Sequence, residues 1–382
     1  MKNKKTKIIE LSSFNPSKSN LHPEKGSDMY YIASWAGSFA RRLKTRYPAL
    51  DIEVWRPEFE FEKISQKTVY NNIQGVIFPY KFPLIKNVLT FQMLKKLLQY
   101  QKQYRLVIHL NTIYNLQFNL FAPRILKETR IILSHHGGKP PKKNRIKNTI
   151  KNKMLTISYK NIDGVTYLRK EIKDWIKLNT NSPFLQFLPV GANFNLMYPL
   201  NKIKCRKILG LKQNLIYGIY IGRFYKLKSV DIILDVYKRL KDKYKFSVIF
   251  LGGTKKDELY DQIKDSGCPF WELQKWEKIK YFLSAADFYI HPVFNDDFGG
   301  FDTTLIEAMA CNIPVISPQL EELEFNYSEL GIYLENKNKI DEKVEMMIKN
   351  YDRYVNCRKI ASQFLDGNTV IIDELRHLLM DN

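Results

Sequence analysis

Short runs of apolar and β-branched residues alternate along the chain with longer segments in which apolar residues recur at the helical period. Parallel strands need a crossover of a dozen or more residues, usually a helix, so this alternation predicts helices packed on parallel sheets. It occurs twice. In the first half, strands are expected at Lys7–Ser12, Asp51–Trp55, Gly75–Pro79, Leu106–Leu110, Arg130–Ser134 and Gly164–Tyr167, with helices over Tyr30–Tyr47 and Leu84–Gln103. In the second half they are expected at Ile216–Gly222, Phe246–Gly252, Phe288–Val293 and Pro314–Ser317, separated by helical segments at Val230–Tyr244, Lys256–Asp265, Glu277–Ala286 and Thr303–Ala310. Between the two series, Leu188 to Pro199 has the Gly and Pro punctuation of a loop. The expected organisation is α/β, with two doubly wound, Rossmann-like domains at 1–195 and 196–350 facing across a cleft. A C-terminal helical segment, 351–382, could cross back to the first. Such sheets take ligands outside the carboxyl ends of their strands.

With 382 residues, both domains are large enough to bury a core, and 45% hydrophobic with 26% charged residues excludes collagen-like and wholly disordered classes. Lys and Arg number 61 against 39 Asp and Glu, a net charge of +22 that attracts polyanions: nucleic acid, anionic headgroups or phosphorylated substrates. Codon bias toward Lys, Ile and Asn accounts for the excess equally well, so charge alone selects no partner. Cysteines 205, 268, 311 and 357 form no C-x-x-C pair and have no histidine at zinc spacing beside them, which favours a reducing compartment over zinc or a disulfide framework. The basic start MKNKKTKIIELSSF meets Glu10 after two apolar residues, unlike a signal peptide, and no apolar run approaches the roughly 18 residues of a bilayer span. A cytoplasmic protein, soluble or peripheral on the inner face of the membrane, is expected.

Two stretches carry chemistry. In Ile219-Tyr-Ile-Gly-Arg-Phe-Tyr-Lys-Leu-Lys-Ser-Val-Asp231 an apolar strand ends at Gly222, Arg223 follows, and Lys228 stands where a helix begins. Two fixed cations beside a helix N-terminus suit a diphosphate, although cations at a strand end also suit plain solvated surface. In Asp297-Phe-Gly-Gly-Phe-Asp-Thr-Thr-Leu-Ile-Glu307 a Gly-containing loop leads into a helix. Its glycines let a phosphate or sugar approach backbone amides, and Glu307, one turn inside, can accept from paired hydroxyls such as those of ribose. An exposed helical glutamate beside an ordinary loop is the plainer alternative.

Together these stretches resemble the retaining glycosyltransferases of family 4, which share the GT-B fold. Gly222, Arg223, Lys228 and Asp231 match G-R-x4-K-G-x-D, with Ser229 where glycine is usual. Glu307-Ala-Met-Ala-Cys-Asn-Ile-Pro-Val-Ile matches the second motif, with Asn312 in the usual glycine place, where asparagine tolerates a left-handed helix cap. The likeness covers Leu188 to Ser317, including Ala285-Ala-Asp-Phe-Tyr-Ile-His-Pro292. One departure stands out: the first glutamate of the family's E-x7-E falls on Gly299, and Asp297 or Asp302 could supply the carboxylate instead. The first domain resembles the family more weakly. Gly26 precedes a helix, like the family's Gly-rich donor loop, and Arg130-Ile-Ile-Leu-Ser-His-His-Gly-Gly138 ends a strand in two histidines. The resemblance puts His136 beside the donor sugar, with His135 as the alternative; His109 and His291 are expected to be buried and hydrogen-bonded.

The resemblance implies a hexosyltransferase-type enzyme that moves a sugar, with retention, from a nucleoside diphosphate sugar to a glycan or lipid-linked acceptor in polysaccharide or glycolipid biosynthesis. His136, Arg223 and Lys228 would be its catalytic residues, and Gly26, Asp302, Thr303 and Glu307 would bind the donor. Arg223, Lys228 and the amides of the Phe301–Thr304 loop would stabilise the departing diphosphate. No Asp-x-Asp pair is present, so neither a divalent metal nor another cofactor is expected. Lys139–Lys153, with seven cations in fifteen residues, is either solvated surface or a patch that docks on an anionic membrane or a pyrophosphate-linked lipid acceptor. Two competing readings are a catalytically silent GT-B-like scaffold and a basic nucleic-acid-binding protein. The second lacks any helix-turn-helix, zinc or aromatic ribonucleoprotein signature, so no nucleic acid is expected.

Overall fold

The computed structural model describes residues 4–12, 24–32, 34–59, 61–80, 89–112, 115–136, 153, 162–179, 184–294, 302–318 and 327–380. The chain forms two compact units, one from residues 1–189 with 372–382 and the other from residues 190–371. Among the described residues no helix is long and apolar enough to cross a membrane. All four cysteines are free and buried, and burial pushes the Cys311 and Cys357 thiols up to about 12.

In the first unit β1 (Thr6–Leu11), β2 (Asp51–Glu58), β3 (Ser65–Val69), β4 (Ile73–Pro79), β5 (Arg105–Leu110), β6 (Arg130–Ser134), β7 (Gly164–Tyr167) and β8 (Leu185–Phe187) form one sheet. Their order is β3-β4-β2-β1-β5-β6-β7-β8, parallel except for β3, which pairs antiparallel with β4 at the edge. In the second unit β9 (Ile216–Ile221), β10 (Phe246–Gly253), β11 (Phe270–Glu272), β12 (Phe288–Ile290), β13 (Val315–Ser317) and β14 (Gly331–Tyr333) run in the order β11-β10-β9-β12-β13-β14, all parallel. Each sheet grows outward from its first strand and then reverses direction, so the switch points lie between β1 and β5 and between β9 and β12. Ligands of doubly wound sheets bind outside the carboxyl ends of the strands at such points.

Helices cover both faces of the second sheet, so its inner strands are buried on both sides. On β10, Ile249 and Leu251 enter one core while Val248 and Phe250 enter the other. The first unit has a corresponding core around Ile9, Ile108, Leu133 and Val165. The helix over residues 91–103 packs there through Met93 and Leu97, after Thr90 caps it by accepting from the Met93 amide at 3.1 Å. Its expected start at Leu84 lies outside the described residues.

The helix expected over Tyr30–Tyr47 is instead two helices, Asp28–Ile32 and Trp35–Arg46. Ser34 starts the second in extended backbone, its Oγ accepting from the Gly37 amide at 3.1 Å. A Cβ on Gly37 would lie 1.7 Å from the Ile32 carbonyl oxygen, so the break depends on a glycine that helical periodicity alone does not single out.

Most of the C-terminal helix Val370–Met380, from Ile372 onward, belongs to the first unit. There Asp373 accepts from Arg46 Nε and Nη2 at 2.5 and 2.7 Å and from the Tyr47 hydroxyl at 2.5 Å, and Ile372, Leu375 and Leu379 are buried. Within the second unit the segments entering and leaving it run side by side. Ala192 donates to Leu365 O at 3.1 Å, Gly367 donates to Ala192 O at 2.7 Å, and a Cβ on Gly191 would meet the Gly367 backbone at 2.6 Å.

Candidate functional site

The second unit gathers charge at its switch point. Past β9 the chain turns at Gly222, whose φ of +154° and 2.8 Å clearance from the Tyr220 hydroxyl leave little space for a side chain. Phe224 then sinks into the core, where Gly253 makes room for it: a Cβ on Gly253 would lie 2.0 Å from the Phe224 ring. Between them Arg223 is held by a partner that is absent from the motif. Its Nε donates to both oxygens of buried Asp257 at 2.9 and 3.0 Å, and its Nη2 donates to Asp257 at 2.5 Å and to the Tyr225 hydroxyl at 2.7 Å. Burial alone would raise the Asp257 carboxyl, but Arg223, the Phe224 amide and Thr254 outweigh it and hold the group below its ordinary value. Arg223 is thus a pre-oriented fork, with Nη1 lacking a hydrogen-bond partner among the described residues.

A 3-10 turn at Lys226–Lys228 leads into the helix Val230–Tyr244 through Ser229, which adopts the left-handed φ of +56°. This is the position where the family motif has glycine. Lys228 Nζ stands 3.8 Å from Asp302 Oδ2. Asp302 is the N-cap of the helix Thr303–Ala310, accepting from the Thr304 hydroxyl at 2.9 Å and more weakly from its amide at 3.4 Å. Asn312 ends that segment at φ +60°, the left-handed geometry expected of it. The structure therefore brings together Lys228, Asp302 and Thr303 from two distant stretches, with the Arg223 fork on the loop before Lys228. Asp297, Gly299 and Phe301 lie outside the described residues.

Glu307 is buried rather than exposed, and its Oε1 accepts from the Trp276 indole at 2.6 Å. His291 follows β12 and is buried as expected, but its Nε2 has no hydrogen-bond partner among the described residues. Burial pushes its ring down to about 4, with Asp302 raising it and Lys228 lowering it, so the ring feels both charges at the switch point. Trp276 and Asp257 carried no signal in the sequence, since nothing local pairs them with Glu307 or Arg223. Among the described residues no group of three or more His, Cys, Asp or Glu side chains could hold a metal ion.

The first unit carries the other two expected positions. Gly26 turns the chain before Asp28–Ile32 at φ +88°, and its carbonyl accepts from Lys67 at 2.8 Å. His136 follows β6 at the switch-point end of its sheet; its ring lies against those of Trp35 and Phe39, and its Nε2 is 2.8 Å from Asn111 Oδ1. Burial, with His109 and His135 nearby, pushes it down to about 3. His135 is buried, and burial with Arg169 lowers it to about 4. His109 is buried and hydrogen-bonded, as expected. Of Lys139–Lys153, only Lys153 is among the described residues.

Residues 201–364 match the family described as glycosyl transferases group 1. Two curated relatives, both uncharacterized glycosyltransferases of Methanocaldococcus jannaschii, are 24% identical over 71% of this chain and 73% of the relative, and 23% identical over 54% and 55%. Among solved structures, sucrose-phosphate synthase from Thermosynechococcus elongatus superposes with a TM-score of 0.69 at 15% identity, covering 98% of both chains. HepE of Anabaena in complex with UDP gives 0.68 at 15% identity over 99% of this chain and 100% of that one. Residues 201–364, which lie within the second unit, are thus similar to the glycosyl transferases group 1 family, and the fold is α/β of the GT-B type with two Rossmann-like sheets.

Proposed function

We propose that this chain is a retaining glycosyltransferase of family 4 that moves a hexose from a nucleoside diphosphate sugar to a glycan or lipid-linked acceptor. The observation that carries the reading is the pair of cations, Arg223 and Lys228, at the switch point of a sheet within the matched family domain. In this reading Arg223 Nη1 and Lys228 Nζ take the leaving diphosphate together with the amides at the start of Thr303–Ala310, where charge builds as the bond to the sugar breaks. Glu307 receives the ribose hydroxyls while Trp276 holds its other oxygen. Asp302 stands in for the missing first glutamate, so Lys228 exchanges a carboxylate for a phosphate when the donor arrives. His136 contacts the sugar, and Gly26 leaves room for the donor. HepE solved with UDP-glucose supports a nucleoside diphosphate sugar as donor.

Fixed cations do the work of charge neutralisation in this scheme, so transfer should persist in EDTA. A catalytically silent scaffold is the second reading, and turnover by purified protein separates the two. The decisive experiment is a thermal-shift screen against UDP, GDP and ADP, followed by transfer assays of Arg223→Ala and Lys228→Ala. One nucleotide should stabilise the parent, and each variant should lose at least about tenfold in turnover, because a charge-assisted contact is worth roughly 1.5–3 kcal/mol. Near-parental activity in both would refute the assigned diphosphate contacts. Peripheral attachment through Lys139–Lys153 is a separate proposal, read by sedimentation with anionic vesicles before and after replacing Lys142, Lys143, Arg145 and Lys147 with Gln; equal binding would leave the segment as solvated surface.

A further inference from the structure

At the switch point of the first sheet, buried polar groups link β1, β5, β6 and β7. Glu10, at the end of β1, has both carboxylate oxygens within 3.0 Å of His109 Nδ1 and accepts from Asn111 Nδ2 at 3.1 Å. His109 Nε2 lies 2.6 Å from Ser134 Oγ, which lies 2.7 Å from Thr166 Oγ1. Asn111 Oδ1 lies 2.8 Å from His136 Nε2. The rings of Trp35 and Phe39 lie against the imidazole of His136 at 5.7 and 5.6 Å between centroids.

We infer that Glu10 and Asn111 are positioning residues that hold His136 as its Nε2–H tautomer and so present Nδ1 as a bare hydrogen-bond acceptor. A carboxylate only accepts, so Glu10 turns the amide nitrogen of Asn111 toward itself. The carbonyl oxygen of Asn111 then faces His136, and since that oxygen also only accepts, the ring nitrogen opposite it must carry the hydrogen. In a neutral imidazole the other nitrogen is left as an acceptor. Burial, which disfavours the charged ring, agrees with neutrality. Nδ1 is buried with no hydrogen-bond partner among the described residues, so a group that reaches it must be a donor, a hydroxyl rather than a carbonyl or phosphate oxygen, and the neutral ring does not act as a general acid. The tautomer stands by itself; its consequence for turnover rests on the proposed sugar contact of His136.

The test is a long-range proton–nitrogen correlation spectrum of 15N-labelled protein at pH 7 without substrate, with His136 assigned through His136→Gln. The parent should show a protonated Nε2 and a bare Nδ1. Asn111→Leu should populate both tautomers and lower turnover by about 10- to 100-fold, the scale of a misplaced catalytic contact, with affinity for the nucleoside diphosphate found by thermal shift held within about twofold. Should Asn111→Leu fail to fold, Glu10→Gln serves instead: an amide that can also donate no longer fixes the orientation of the Asn111 amide, so His136 should again populate both tautomers. A protonated Nδ1 or a charged ring in the parent, or an Asn111→Leu spectrum identical to it, would overturn the inference. The expected spectra with unchanged turnover would support the tautomer and overturn the role of His136 in transfer.

Discussion

Ser229 occupies a left-handed backbone position that costs an L-residue with a Cβ roughly 1–2 kcal/mol, and its buried hydroxyl has no hydrogen-bond partner among the described residues. Ser229→Gly should therefore raise stability by about 1 kcal/mol, because relief of strain and of an unpaired hydroxyl exceeds the roughly 0.5–1 kcal/mol of extra backbone entropy. The urea midpoint reports it, and a lowered midpoint would contradict it. The buried histidines supply a pH dependence. His135 and His291 are pushed down to about 4, against an ordinary value of 6.5, so the unfolded chain binds their protons first. Their contribution is complete above pH 6.5 and is lost as pH falls toward 4, at about 1.4 kcal/mol per pH unit for each. Denaturant titrations at pH 7, 6 and 5 should show the decline; a flat profile would contradict it. Arg223, Lys228 and Glu307 could be singled out in the sequence because each sits in a contiguous motif. Their partners could not: Asp257 reaches Arg223 across 34 positions, and Glu10 reaches Asn111 across 101.

Strands buried on both faces read as unbroken apolar runs, which is why β6 and β7 were expected at their observed bounds and β1, β5, β9 and β10 to within a residue. Edge strands leave no such trace. β3 is Ser-Gln-Lys-Thr-Val with an alternating, half-exposed pattern, and β8 and β11 are three residues each with none buried. Their places are set by pairing with a neighbour already in the sheet. The break between Asp28–Ile32 and Trp35–Arg46 went unread for a different reason: Gly37 is defined by a backbone approach that periodicity does not encode. Gly37→Ala should cost at least about 2 kcal/mol, since the new methyl meets a carbonyl oxygen rather than a pliable side chain. It should also disturb Trp35 and Phe39, on the same helix, which flank His136. Near-parental stability by thermal denaturation would contradict that packing.

For the molecule as a whole, the division into residues 1–189 with 372–382 and residues 190–371 makes the last helix part of the first unit. Leu375 is buried there, so Leu375→Ala should destabilise that unit by about 2–5 kcal/mol while leaving the nucleotide-induced thermal shift of the second intact. Scanning calorimetry with and without the nucleotide would distinguish this from a uniform loss. The arrangement also has a consequence for the order in which the protein is made. A ribosome finishes 1–189 first and then spends about 10–40 s, at 5–20 residues per second, on the stretch up to residue 371 before the last helix is translated. Throughout that interval the surface that will receive Ile372, Leu375 and Leu379 is uncovered, so the unit begun first is the last to be completed, and a chaperone bound co-translationally would find its apolar target there.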